Sequence, residues 1–546
     1  MYRILIFFCV FVYNVFADSV RVVELDDGAV VGEKYWNGDF YQFYGVPYAT
    51  APSGRDRFKA PLPVKKRDKA FPANAKDIIC QQIFYTGDDD DSILQGEEDC
   101  LILNLFVPEV ANENNLVPVV VYLHSGAFAG GSGNMGKLHY VARHDVIAIN
   151  LNYRLGAIGF ACLGTEEIPG NAALKDQVAA LKWINKNIVK FGGDPKKVTL
   201  AGYSVGAAMA ELIALSDATD GLIDKLILES GSALSPFAIN RDPISTARNI
   251  ARSVGYNGTG TLKDLNEFYL NAPVTDITKR SMNFFLPNST FGFAPCIERK
   301  SKNAEAIITE APLEVLSKKD AKYAVLTGLA NMEGLSRSIK FDTWVDLMHE
   351  NFSDFLPADL IFKDDKNKNE IANLIKEYYF KGEEVSHDTL QEYIDYFSDS
   401  MFRYSILKSA KLHATKSKRN LYFYEFSYVG ELNMKHYYMD KIKGASHRDQ
   451  TSYILDFFAG WTNSVSDLDM RNLMTLMWTD FVKHENPTAY ESLLVKIKWP
   501  KFTNEQQNYL SIGANLQIRT DLLTDSYTFW DKLYEKYYWT PTAPNV

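Results

Sequence analysis

The chain has 546 residues, 46% of them hydrophobic and 23% charged, values that belong to a protein with a large buried core and exclude a disordered chain. Asp and Glu outnumber Lys and Arg by 68 to 58, a net charge of −10, which argues against a nucleic-acid partner because such proteins carry a basic face. Aromatic residues make up 13%, enough to line an apolar pocket.

Residues 1–17 read as a secretory signal. Arg3 supplies the positive start, Ile4 to Phe16 is almost wholly apolar, and Val15-Phe16-Ala17 ends in a small residue. The run is shorter than the ~20 apolar residues of a membrane-spanning helix and is followed at once by polar sequence. Thr540 to Val546 carries neither a lipid-anchor tail nor a retention tetrapeptide. The expectation is a secreted chain with no membrane anchor, whose mature part, 18–546, forms one domain, since no repeat or low-complexity linker divides it.

With Cys9 removed in the signal, Cys80, Cys100, Cys162 and Cys296 remain in an oxidising compartment. Cys80 and Cys100 are close in sequence and are expected to be bridged, closing a loop of about twenty residues that stabilises by about 3 kcal/mol in the chain-entropy model. Spacing leaves open whether Cys162 pairs with Cys296. Asp88 to Asp91 lack the alternating ligand spacing of a calcium loop. Asn257-Gly-Thr, Asn288-Ser-Thr and Asn351-Phe-Ser are glycosylation acceptors.

Val119–Leu123, Val146–Leu151 and Val198–Ala201 are continuous β-rich apolar runs, which fit strands buried on both faces in a parallel sheet. Between the last two, Asn171 to Val189 places Leu174, Val178, Leu181, Trp183 and Ile188 at helical spacing, and Phe191-Gly-Gly-Asp-Pro195 stops it. The alternation continues through Asp224–Leu228 and Tyr323–Thr327, so the fold class is α/β.

Directly after the third run comes Gly202-Tyr203-Ser204-Val205-Gly206, and then the helical stretch Ala207 to Leu215. A nucleophile elbow needs this order. Its serine sits on a strained strand-to-helix turn, flanking glycines let neighbouring backbones pass closely, and the helix start puts N–H groups beside the reacting oxygen. Ser204 is the candidate nucleophile.

With this motif in place the chain resembles the type-B carboxylesterase and cholinesterase family, and more narrowly the insect carboxylesterases, from Asp18 to the C-terminal helix. The residues that carry the resemblance are Tyr44-Gly-Val-Pro-Tyr-Ala49, Arg57-Phe58, Glu98-Asp-Cys-Leu-Ile-Leu-Asn104, Asn152-Tyr-Arg-Leu-Gly156, Gly170-Asn-Ala-Ala-Leu-Lys-Asp-Gln177, Phe191-Gly-Gly-Asp-Pro195 and Trp499-Pro500. It implies an α/β-hydrolase fold with a large, mostly parallel central sheet flanked by helices. It also implies the partners of Ser204: Glu333 in Leu326-Thr-Gly-Leu-Ala-Asn-Met-Glu-Gly-Leu335, and His447 in Gly444-Ala-Ser-His-Arg-Asp449. The order Ser, Glu, His is the one this fold uses. His447 would take and return the serine proton while Glu333 fixes its tautomer.

His124-Ser-Gly-Ala-Phe128 is similar to the family's oxyanion loop, which nominates the N–H groups of Gly126 and Ala127, with Val205 as a third donor. Ser125 and Ala127 stand where the family often has glycine, and Val205 replaces a smaller residue, so a narrowed loop with shifted acyl preference or reduced turnover is expected. Tyr203 replaces the glutamate of cholinesterases, and the Cys80–Cys100 loop holds Phe84 and Tyr85 but no tryptophan for a quaternary ammonium. Ser230 matches a serine behind the triad. Arg57 with Glu98, and Arg154 with Asp176, match ion pairs that tie loops to the core.

The expected activity is hydrolysis of small, neutral, hydrophobic carboxylic esters through an acyl-enzyme, with no metal or cofactor. The rival readings are a catalytically idle ligand-binding or adhesion relative and a lipase working at a lipid surface. Neither the natural ester nor the oligomeric state is specified by the sequence.

Overall fold

In the computed structural model the apolar runs form the middle of a thirteen-stranded sheet. Residues 19–85, 92–281, 285–301, 305–457, 462 and 464–545 are described. The expected signal at 1–17 and the aspartates 88–91 lie outside them.

The strands are β1 (Val20–Val23), β2 (Val30–Lys34), β3 (Phe40–Pro47), β4 (Phe71–Pro72), β5 (Gln82–Tyr85), β6 (Ser92–Gln95), β7 (Ile102–Pro108), β8 (Val117–Leu123), β9 (Ile147–Leu151), β10 (Gly193–Tyr203), β11 (Lys225–Glu229), β12 (Ala324–Ala330), β13 (Leu421–Phe426), β14 (Tyr509–Ile512) and β15 (Leu516–Arg519). The sheet order is β1-β2-β3-β7-β9-β8-β10-β11-β12-β13-β14-β15, with β4 beside β2, while β5 and β6 form a separate hairpin. From β9 through β8 to β14 every neighbour is parallel. The outer strands β1, β2, β3, β7 and β15 pair antiparallel. This is the α/β-hydrolase architecture expected above.

Strands β9, β11 and β12 are buried at every position, which explains their unbroken apolar sequence. Alternate residues still serve different layers. Val119, Val121, Ile147, Ile149, Leu200 and Leu226 pack on Leu181 and Ile184 of α1 (Ala172–Asn187) and on Met209 and Ile213 of α2 (Val205–Ala214). That layer also takes Ile406 and Leu407 of α3 (Tyr404–Lys416). Val120, Tyr122, Ala148, Ala201 and Ile227 face the opposite layer, where α4 (Val465–His484) contributes Met474, Met477, Trp478 and Phe481. Burying each Val, Leu, Ile, Met or Phe of these layers stabilises by about 1.5–3 kcal/mol. A third apolar core, around Trp344, Phe355, Tyr396, Phe397 and Trp530, joins the helices of 341–398 to Thr524–Tyr537.

Helix α1 ends at Asn187, short of the expected Val189, because residues 188–191 tighten into a 3-10 turn that Gly192 closes at φ 85°. Both disulfides are formed: Cys80–Cys100, as expected, and Cys162–Cys296, which spacing could not decide. The buried Arg154 guanidinium is held by Asp176 at 2.6 and 2.7 Å. The expected Arg57–Glu98 pair is not made. Arg57 donates instead to the carbonyls of Gly54 (2.7 Å) and Ala272 (3.2 Å), so hydrogen bonding to loop backbone does the tying. Asn257 and Asn351 are exposed, and Asn288 is half-buried with its Oδ1 accepting from Thr290 at 2.7 Å. Among the described residues no helix is long and apolar enough to cross a membrane.

Candidate active site

Ser204 stands between the last residue of β10 and the first of α2, with φ 55° and ψ −125°, a backbone region costly for a side-chain-bearing residue. Close approach explains the glycines two residues away on each side. A Cβ on Gly202 would lie 2.5 Å from the Gly206 carbonyl carbon, and one on Gly206 would lie 2.3 Å from the Leu123 oxygen. The Ser204 N–H donates to the Glu229 carbonyl (2.8 Å), which hangs the turn on β11.

Glu333 and His447 come from the loops that follow the neighbouring strands β12 and β13. Those loops are joined: Met332 N–H donates to the Ala445 carbonyl (2.9 Å), and Ala445 N–H donates to Asn331 Oδ1 (2.8 Å). The result places His447 Nδ1 2.6 Å from Glu333 Oε2. The other carboxylate oxygen of Glu333 accepts from Ala330 N–H at 2.7 Å, and the side chain is fully buried. Ser204 and His447 line one cavity of about 910 Å³, at the carboxyl ends of the strands where open α/β sheets bind ligands.

Gly126 and Ala127 line the same cavity. Both have positive φ (126° and 50°), as does Phe128. Among the described residues the N–H groups of Gly126, Ala127 and Val205 donate to no protein acceptor. The loop is fixed from behind by Tyr153, whose hydroxyl donates to the His124 carbonyl (2.6 Å), and by Gly156 N–H on the Phe128 carbonyl (2.7 Å). Ser230, also at positive φ, accepts from Gln450 Nε2 at 2.5 Å rather than from Glu333 or His447. Tyr203 forms part of the cavity wall beside Ser125 and Arg448, and burial raises its phenol pKa.

Residues 19–530 match the model of the carboxylesterase family. The chain belongs to the carboxylesterase family. Among its relatives, Esterase FE4 of Myzus persicae is 33% identical over 87% of this chain and 86% of that protein. Juvenile hormone esterase of Heliothis virescens is 30% identical over 91% of each. The crystal structure of juvenile hormone esterase from Manduca sexta, with OTFP covalently attached, superposes with a TM-score of 0.82 at 27% identity, covering 94% of this chain and all of that one. The protein is therefore a carboxylic ester hydrolase of α/β-hydrolase fold.

The carboxylesterase cavity includes residues that the sequence did not single out. Phe402, on a π-turn (Asp399–Arg403) entering α3, lies against His447 with ring centroids 4.3 Å apart. Phe285, Phe291 and Met434 add apolar wall, and His436 and Arg448 add polar wall. Asp449 braces the histidine loop, accepting from Ser446 N–H (2.6 Å), Met434 N–H (2.8 Å) and Asn433 Nδ2 (2.9 Å). Burial lifts its pKa to about 6 while those bonds oppose the rise. Behind the elbow, Glu229 accepts from Trp478 Nε1 (2.9 Å) and from the hydroxyls of Tyr122 and Thr451 (3.0 Å each). Burial outweighs these bonds and pushes its pKa to about 7. Among the described residues no three His, Cys, Asp or Glu side chains gather as metal ligands.

Proposed function

We propose that the enzyme hydrolyses small carboxylic esters through an acyl-enzyme on Ser204. The Ser204 hydroxyl adds to the ester carbonyl carbon and gives its proton to His447 Nε2. The oxyanion that forms is stabilised by the N–H groups of Gly126, Ala127 and Val205. Collapse of this intermediate expels the alcohol, which takes the proton from His447. A water then repeats the sequence on the acyl group, releasing the acid and restoring the serine. Glu333 keeps Nδ1 protonated and stabilises the imidazolium.

The observation that carries this reading is the 2.6 Å Glu333–His447 contact, whose imidazole opens into the same cavity as a serine on a strained elbow. Three N–H groups left without acceptors among the described residues support the oxyanion assignment. Cationic side chains on the wall disfavour a quaternary ammonium ester. The apolar leader at 1–17, the two disulfides and the exposed acceptors Asn257 and Asn351 support a secreted, glycosylated enzyme acting extracellularly. Expression with a short-chain aryl ester tests the catalytic reading: a burst of alcohol equal to the enzyme concentration is expected, and turnover that survives Ser204→Ala rejects it.

A further inference from the structure

The charge of the cavity is opposite to that of the protein. The chain carries a net −10, yet among the described residues the charged groups lining the cavity are Lys76, Arg337, Lys435 and Arg448 against one acid, Asp77. Arg448 is the telling one. It follows His447 directly, and its guanidinium lies over the Phe457 ring at 4.3 Å. Its Nε is buried and has no hydrogen-bond partner among the described residues. The neighbouring carboxylate does not serve it, because Asp449 is turned to Ser446, Met434 and Asn433.

His436 stands beside Arg448 and His447. Burial, reinforced by the neighbouring Arg448 and His447, lowers its pKa to about 4, so the ring is neutral. Its Nε2 is also buried without a partner among the described residues. A buried polar group without a partner costs about 1–3 kcal/mol, and the Arg448 guanidinium and the His436 ring line the cavity together with Phe402 and Met434. A carboxylate accepts from the guanidinium, and from the imidazole in the tautomer that carries its proton on Nε2, and the Arg–carboxylate bond is among the strongest available to proteins. A cation at a low-dielectric wall also concentrates anions in the cleft.

We propose that Arg448 and His436 form an anion-binding corner of the cavity, so that the preferred substrates are esters carrying a second, ionised carboxylate. This rests on the ester-hydrolase reading and departs from the neutral ester expected from sequence.

The test compares kcat/KM for two pairs of probes, with active sites counted by organophosphate titration. Mono-4-nitrophenyl glutarate against its methyl-capped diester places the carboxylate on the acyl side. 4-Acetoxybenzoate against its methyl ester places it on the alcohol side. In one pair the anionic-to-capped ratio is expected to fall at least tenfold in Arg448→Gln, to fall less in Arg448→Lys, and to shrink with added salt. The pair that responds identifies the side. Ratios unmoved by Arg448→Gln in both pairs overturn the proposal. If that variant does not fold, free glutarate must inhibit hydrolysis of the capped ester by wild type competitively, and more weakly as salt rises; absence of such inhibition also overturns it. Failure of wild type to cleave any of the four probes instead refutes the hydrolase reading beneath.

Discussion

Glu333 Oε2 lies 2.6 Å from His447 Nδ1, bringing together side chains from the loops after two adjacent parallel strands. Replacing the carboxylate with its amide keeps the shape but removes the charge that, in the proposed mechanism, holds Nδ1 protonated. Glu333→Gln is therefore expected to lower kcat by about 10³–10⁴-fold while the unfolding transition stays close to wild type. Steady-state kinetics with an aryl acetate and a thermal scan on the same sample check this.

The proposed oxyanion loop makes a pair of opposed predictions. A Cβ on Gly126 would lie 2.0 Å from the Gly130 carbonyl oxygen, so Gly126→Ala must move the loop, and loss of an aligned donor lowers kcat by about 10²–10³-fold. Ala127 already carries its Cβ at φ 50°. Ala127→Gly relieves about 1 kcal/mol of left-handed strain and gives back a similar amount in chain entropy, leaving stability nearly unchanged and activity intact. Thermal scans and kcat on both variants separate the two cases.

Much of this arrangement was legible in the sequence because Ser204, Glu333 and His447 each sit in a short local pattern tied to a strand end. The elbow needs glycines at 202 and 206, and the structure shows the backbone contacts that a Cβ would break. The buried strands were equally legible, since a strand covered on both sides cannot alternate. What escaped depends on tertiary placement. Phe402 reaches His447 from a π-turn inside a long helical segment, and His436 and Arg448 become one corner only when Asp449 ties Met434 to Ser446. The 134-residue separation of Cys162 from Cys296 carried no local signal. Arg57 shows the reverse error: a partner carried over from the family gave way to two backbone carbonyls.

Glu229 gives a pH signature. Its folded pKa is raised from the ordinary glutamate value to about 7, so the native state binds a proton more tightly than the unfolded chain. Its contribution is fully present below about pH 4.5 and is lost as pH rises through 7, a change of about 3 kcal/mol. Relative to Glu229→Gln, wild type should lose stability between pH 5 and pH 8. Urea midpoints measured for both proteins across that range check it; parallel curves contradict it.

The two disulfides should contribute unequally. Cys162–Cys296 spans 134 residues and Cys80–Cys100 spans 20, which in the chain-entropy model correspond to about 5 and about 3 kcal/mol. Replacing each pair by serine and measuring denaturant unfolding should rank the 162–296 variant as the less stable.

The most direct measurement of the central claim is the site of covalent capture. Incubated with an organophosphate phenyl ester, the enzyme is expected to gain one phosphoryl group and lose all esterase activity in step. The modified peptide should contain Ser204, with no adduct in Ser204→Ala. Modification at another residue, or an Ser204→Ala variant that still hydrolyses the ester at the wild-type rate, would contradict the account.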